Sequence, residues 1–393
     1  MRLMSLLRGV DVVSVSAHPD LPVSAIVSDS RRASPGCLFL CLPGSRMSSK
    51  DVSRTENRKL AAFPRLIKDG KWNTSFSKEF DAYFNDHFFL RDELLDLNMK
   101  LTSFTGTSLN NTGKVISGKD GWYFYARNNA YRNYHNLDLF SPGELRQAAE
   151  DLDAIAEICR KNGKKVYLFI IPDKHKIYGE YFPGADKINP DSGSRAIQLT
   201  GYLNSNTPVP VVYFGDTLIN RKSDGLLYWK NDSHWNEYGA YIATLEMLRI
   251  IRQDHPALPL LSLPVFRSEV VVNGDLAPSF EAVEYPQVTV KPGFRIHGAP
   301  LDYAFHNTAL FNKKGKYRVL FVRDSFAVQQ LPMLGNVFAK MRCLWSDYVI
   351  KTDEMKHFKS ADIVIFQCAE RLLPQLLDGI HESRKNLEKE MGK

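Results

Sequence analysis

From residue 116 onward the chain switches repeatedly between two spacings of apolar residues, one suited to a helix and one to a buried strand. Ser141-Pro-Gly-Glu144 has the spacing of a capping box with Pro142 in the first turn, and Leu145, Ala149, Leu152, Ala156 and Cys159 then recur along one helical face. Gly163 closes that helix. Lys165-Val-Tyr-Leu-Phe-Ile-Ile171 follows as a nearly unbroken apolar run, the signature of a strand buried on both faces, and Pro172 stops it. The same reading predicts strands at Val209–Phe214, Tyr317–Val322 and Asp362–Phe366. It predicts helices at Glu237–Ile251 with Asn236 as cap, after Ser325, and over the charged C-terminal segment. Strands alternating with helices imply an α/β fold with a mostly parallel sheet covered on both faces. Between 265 and 312 the pattern breaks into short extended pieces punctuated by Pro and Gly, which read as a β-rich insertion packed on the sheet edge.

The region before residue 116 is of a different kind. Phe76, Phe80, Tyr83, Phe84, Leu94, Leu95, Leu97 and Leu101 give residues 75–105 a helical periodicity, a lead-in to the larger domain. The first 48 residues read as a small separate unit: a short helix at Leu3–Leu7, a strand at Val23–Val27, a turn at Pro35-Gly36 and an apolar run from Cys37 to Leu42. A polar linker spans 45–54. The organisation expected is therefore a fragment at 1–48, a linker and lead-in at 49–115, a main domain at 116–380 and a charged tail at 381–393.

Composition narrows the class without choosing a function. Of 393 residues, 44% are hydrophobic and 24% charged, the balance of a globular protein with a substantial core. The formal charge of +7 favours anionic partners, but the bases are scattered and no Lys/Arg block marks a nucleic-acid surface. Five cysteines at irregular spacing fit neither a disulfide framework nor a zinc site. No metal or organic cofactor is implied. The start of the chain is not expected to act as a secretory signal, because Asp11, Ser14, Ser16 and Asp20 interrupt any apolar stretch after Arg2 and Arg8. The apolar runs are strand-sized and too short for a membrane span.

Ligands of parallel sheets bind beyond the carboxyl ends of the strands, so the polar residues just past each strand carry the candidate chemistry. Ser325 follows the strand Tyr317–Val322 at a strand-to-helix turn, where a hydroxyl is presented at the sheet edge; Asp324-Ser325 reads equally as a helix cap. Asp232 and His234 lie two residues apart, so in an extended turn both side chains point the same way, as a base and its orienting carboxylate must. Without a nucleophile, that pair is an ordinary loop. Lys174 emerges past the strand ending at Ile171 and reads equally as a holder of a carboxylate or sugar oxygen and as a surface lysine. Lys174, Tyr178 and Trp235 are the candidate substrate-binding residues.

Taken in order, several segments resemble the SGNH-like polysaccharide O-acetyltransferases of the AlgX/AlgJ type, close to the DHHW proteins. The resemblance runs through Glu56–Pro64, Phe80–Arg91, Gly118-Lys-Asp-Gly-Trp-Tyr-Phe124, Pro172-Asp-Lys174 with Ile177-Tyr178, Asp232-Ser-His-Trp235 with Gly239-Ala-Tyr241, Gly274-Asp-Leu-Ala277, Asp324-Ser-Phe326 and Asp362–Ile365 with Glu370-Arg371. It implies a three-layer SGNH-hydrolase-like domain with Ser325 as nucleophile, His234 as base and Asp232 as its partner. Arg323 stands where plainer versions carry glycine. The resemblance also implies acetyl transfer through an acetyl-serine onto hydroxyls of an exported, alginate-like polysaccharide. It further implies a membrane-bound acyl-donor protein as partner, a periplasmic setting and no nucleic acid. A carbohydrate esterase and a non-catalytic polysaccharide-binding scaffold are the alternative readings. Ala25-Ile-Val-Ser-Asp-Ser-Arg-Arg32 with Ser34–Phe39 and Leu42-Pro-Gly44 instead resembles the start of the MurE-type UDP-N-acetylmuramoyl-peptide ligases. The chain holds no G-x-x-x-x-G-K-[ST] phosphate loop, so ligase activity is not expected.

Overall fold

The computed structural model describes residues from Val115 to Met391 with short interruptions, the longest at 277–283 and 298–305. Before Val115 it describes the strands Ala25–Val27, Cys37–Phe39, Ile67–Lys68 and Lys71–Trp72 and scattered positions between 62 and 83. The chain divides into two compact units, Met1–Leu97 and Asn98–Lys393.

In the first unit Ala25–Val27 pairs in parallel with Cys37–Phe39, and Ile67–Lys68 pairs antiparallel with Lys71–Trp72. Positions 76, 79, 80 and 83 are helical, in keeping with the lead-in periodicity, and the Phe76 and Phe80 rings stack at 5.9 Å. The helix read at Leu3–Leu7, the linker at 45–54 and the lead-in beyond residue 83 lie outside the described residues.

The second unit is built on one seven-stranded sheet. Its strands are β1 (Lys165–Ile171), β2 (Val211–Tyr213), β3 (Arg295–His297), β4 (Thr308–Phe311), β5 (Lys316–Arg323), β6 (Phe338–Trp345) and β7 (Ile363–Ala369), in the order β3-β4-β6-β5-β7-β1-β2. From β6 to β2 every neighbouring pair is parallel. β4 runs antiparallel to β6, and β3 antiparallel to β4. These two edge strands come from the expected insertion, whose other part forms an antiparallel pair of its own, Val265–Val270 with Glu284–Thr289.

Alternation along the strands creates the layers, because successive side chains of a strand point to opposite faces. Tyr167, Phe169, Val319, Phe321, Ile363 and Ile365 pack on one face with helices α3 (Glu237–Asp254) and α4 (Leu331–Val337). Val166, Leu168, Leu320, Val322, Val364 and Phe366 pack on the other with α1 (Pro142–Lys161), α2 (Arg195–Asn206) and α5 (Leu373–Met391). Both faces are thus dry, which is why these strands read as continuous apolar runs. The capping box at α1 is formed: Ser141 Oγ accepts from the Glu144 N–H at 3.3 Å, and the Glu144 carboxylate accepts from the Ser141 N–H at 2.8 Å. α5 continues through the charged terminal segment and buries Ser383 and Leu387. Among the described residues no helix is long and apolar enough to cross a membrane.

Candidate active site

Two loops at the carboxyl edge of the sheet meet to form the site. The first runs from Leu227 to Asn236 and is closed on itself: the Asn236 N–H donates to the Leu227 carbonyl at 2.9 Å, and Tyr228 bridges Trp235. Asn236 then caps α3, its side chain accepting from the Gly239 N–H at 2.9 Å. Gly239 is required there, since a Cβ would lie 2.3 Å from the Leu227 carbonyl oxygen. The second loop is the turn after β5. Asp324 caps a 3-10 helix, Ser325–Gln329, by accepting from the Phe326 N–H at 2.9 Å. Its other carboxylate oxygen accepts from the Ala369 N–H at 2.6 Å and the Tyr348 hydroxyl at 3.1 Å, pinning the turn to the end of β7. Burial pushes the Asp324 carboxyl above its ordinary range, against those hydrogen bonds and the nearby Arg371.

The loops bring Ser325, His234 and Asp232 into one hydrogen-bonded row. His234 Nε2 lies 2.7 Å from Ser325 Oγ, and His234 Nδ1 lies 2.7 Å from Asp232 Oδ1. Asp232 Oδ1 also accepts from the His234 N–H at 2.9 Å, and Oδ2 from the Asp275 N–H at 3.0 Å. The carboxylate thereby fixes Nδ1 as the protonated nitrogen and leaves Nε2 to accept the serine proton. Burial disfavours the imidazolium, but the Asp232 carboxylate, with a smaller contribution from Asp275, outweighs it, so His234 titrates above its ordinary value. Burial likewise disfavours the Asp232 anion, yet His234 and the two N–H donors hold its carboxyl well below the usual range.

Of the candidate binding residues, Lys174 lines a small cleft beside the row, while Tyr178 and Trp235 are buried. Lys174 is 3% exposed, and its ammonium donates to the carbonyls of Trp229, Lys230 and Asp232 at 2.9, 3.0 and 2.7 Å. All three ammonium protons are therefore used to hold the catalytic loop, although burial brings its pKa down to about 7. Tyr178 is buried against Trp122, and its hydroxyl accepts from the Leu227 N–H at 3.0 Å. Trp235 is fully buried and donates from Nε1 to the Phe326 carbonyl at 2.8 Å, tying one loop to the other. All three hold the loop that carries His234 in place.

Other residues join the site that the linear pattern did not single out for a role. Arg371 donates to Asp173 Oδ1 at 2.6 Å, and its guanidinium lies over the rings of Phe326 (5.0 Å) and Tyr125 (4.8 Å). Lys174, Arg371, Asp173, His175, Ser233 and Tyr125 are among the residues that bound the small cleft beside the row. Arg323 turns into the sheet face, its guanidinium 4.6 Å from the Trp345 ring and donating to the His306 and Asp324 carbonyls at 3.3 Å. Asp232, His234 and Asp275 each bring a possible ligand atom within 4.8 Å of the others, but hydrogen bonds among them and to Ser233 account for the cluster without a cation.

A family model for an SGNH hydrolase-like domain, the acetyltransferase AlgX, matches residues 115–335. A probable alginate O-acetylase AlgJ of Pseudomonas syringae pv. tomato is 23% identical over 197 residues, which is 48% of this chain and 45% of the relative, so the match spans less than half of that protein. The structure of Bacillus cereus PatB1 aligns with a TM-score of 0.50 at 14% identity, over 66% of this chain and 96% of that one, a likeness of fold. The O-acetyltransferase domain of Pseudomonas putida AlgJ aligns with a TM-score of 0.44 at 14% identity, over 68% of this chain and 99% of that one.

Proposed function

Because the chain belongs to the SGNH hydrolase-like family of AlgX-type acetyltransferases, we propose that it moves an acetyl group onto hydroxyls of a polysaccharide through an acetyl-Ser325 intermediate. The row Asp232–His234–Ser325, with both links at 2.7 Å, is the observation that supports this. In the first half-reaction Ser325 Oγ attacks the acetyl carbonyl of the donor while His234 Nε2 takes the hydroxyl proton. The donor's leaving group departs with that proton, and Ser325 carries the acetyl ester. In the second, a sugar hydroxyl gives its proton to Nε2 and attacks the ester. Ser325 then leaves and recovers the proton, so nothing is consumed beyond the acetyl group. Asp232 stays ionised throughout, holding the ring and stabilising the transient imidazolium.

An alginate-like polymer as acceptor, a membrane-bound acyl-donor protein and a periplasmic setting belong to the same proposal. The polymer rests on the family and on the alginate O-acetylase activity for which the AlgJ relative is named, and the donor protein and the setting on the family resemblance. The test incubates the purified protein with p-nitrophenyl acetate, with and without oligomannuronate. Acetylated sugar that disappears in Ser325→Ala supports transfer. Acetate release that no acceptor alters points to an esterase with the same row, and full activity in Ser325→Ala overturns the mechanism.

A further inference from the structure

The insertion between α3 and β5 returns to the catalytic loop at Gly274-Asp275-Leu276, a tripeptide that the mechanism above leaves without a role. It meets residues 231–234 at four points. Gly274 packs so closely that a Cβ would lie 2.1 Å from the Asn231 carbonyl oxygen, which leaves room for glycine alone. The Leu276 N–H donates to the same carbonyl at 3.2 Å. The Asp275 N–H donates to Asp232 Oδ2, the oxygen that His234 does not use. The Asp275 carboxylate accepts from the Ser233 N–H at 2.6 Å and from Ser233 Oγ at 2.8 Å. From this geometry we propose, resting on the triad reading above, that Asp275 is a positioning residue for the base: it fixes the backbone between Asp232 and His234 and orients the Ser233 hydroxyl beside the imidazole.

The second part of that role follows from the Ser233 hydroxyl itself. Its oxygen lies 3.3 Å from His234 Nδ1, a secondary acceptor for the N–H that Asp232 holds at 2.7 Å. Donation of its own proton to Asp275 leaves the oxygen's lone pairs free to face Nδ1, so the N–H held by Asp232 at 2.7 Å gains a second, longer acceptor. A neutral amide at 275 cannot accept and direct both Ser233 donors in the same way. The charge matters as well. The groups acting on His234 are Asp232 and Asp275, which favour the imidazolium, and Arg371, which opposes it, with the Phe326 ring 4.9 Å away. Removing the Asp275 charge therefore lowers the pH at which His234 becomes a base.

The measurement is the rate at which a sulfonyl fluoride labels the serine of the full-length protein, followed by mass spectrometry from pH 5 to 9. It needs neither acetyl donor nor polysaccharide. Asp275→Asn should slow labelling about ten- to a hundred-fold at pH 8, the range that misplacement of a catalytic group costs, and should move the acid limb to lower pH. Ser233→Ala, which keeps the carboxylate, should slow it less and leave the limb near its original pH. A purely structural Asp275 would lower the melting temperature and leave the limb of the folded fraction in place, which overturns the proposal. So does an unchanged rate in Asp275→Asn or, should that variant not fold, in Ser233→Ala. Labelling that survives Ser325→Ala instead removes the triad reading, and the proposal with it.

Discussion

At the scale of single residues, the proposed chemistry depends on one proton and on what would hold His234 ready for it. The neutral imidazole is the active form, and Asp232 raises the pKa of His234 against the opposing effect of burial. Activity should therefore fall on acidification through a value above the ordinary histidine range of about 6.5. Asp232→Asn removes the principal source of that rise and frees the tautomer. The acid limb of kcat/KM should move to lower pH while kcat drops on the order of a thousand-fold or more. A pH profile of p-nitrophenyl acetate hydrolysis reads both effects, and an acid limb that stays in place would show that Asp232 does not govern the base. Ser325 past a strand and the pair Asp232/His234 two residues apart were legible in sequence, because each depends on neighbours along the chain. Asp275 and Arg371 lay in segments that carry the family resemblance, but no role could be read for them, since each acts through partners far away in sequence, Ser233 for the one and Asp173 with the Phe326 ring for the other. Lys174 was legible as a polar residue past β1. Its destination was not, because nothing in the sequence says that three carbonyls of the loop at 229–232 close around it.

Among elements, legibility follows burial. β1, β5 and β7 are dry on both faces and read as apolar runs, and α1 announces itself by its cap. β6 passed unnoticed although it pairs with β5 along most of its length, because Lys340 and Arg342 interrupt its apolar pattern. Both are accommodated sideways: Arg342 pairs with Glu354, and the Lys340 ammonium sits over the Phe311 ring of β4. The site is likewise a matter of elements, since His234, the proposed base, arrives on the loop before α3 and Ser325, the proposed nucleophile, on the turn after β5. Trp235 joins the two through its bond to the Phe326 carbonyl. Trp235→Phe keeps most of the buried ring and strands that carbonyl without its donor, a loss of about 1–3 kcal/mol. Urea unfolding should show a lower midpoint at unchanged slope, and serine labelling of the folded variant should slow as the loops loosen. An unchanged midpoint together with an unchanged labelling rate would mean that packing alone sets the distance between the loops.

For the whole molecule, the question is what the first 48 residues add. The family match begins at residue 115, and both large hydrophobic clusters among the described residues are drawn from positions beyond it. The described part of the opening segment is a parallel pair of three-residue strands, Ala25–Val27 with Cys37–Phe39. Two strands without further cover are marginal in water, and a segment this short buries little apolar surface by itself. The chain contains no phosphate loop with which a nucleotide could be held by its phosphates. We propose that the segment serves neither the acetyltransferase core nor a working nucleotide site. Deleting residues 1–48 should leave the melting temperature within a degree or two, given that a change of 1 kcal/mol shifts a domain of 150–250 residues by about 2–4 °C. Turnover of p-nitrophenyl acetate should be unchanged as well, and titration calorimetry of the full chain with a UDP-sugar should give no heat of binding. A melting temperature that falls by ten degrees, or nucleotide binding that Ser28→Ala abolishes, would instead make the segment a functional part of this protein.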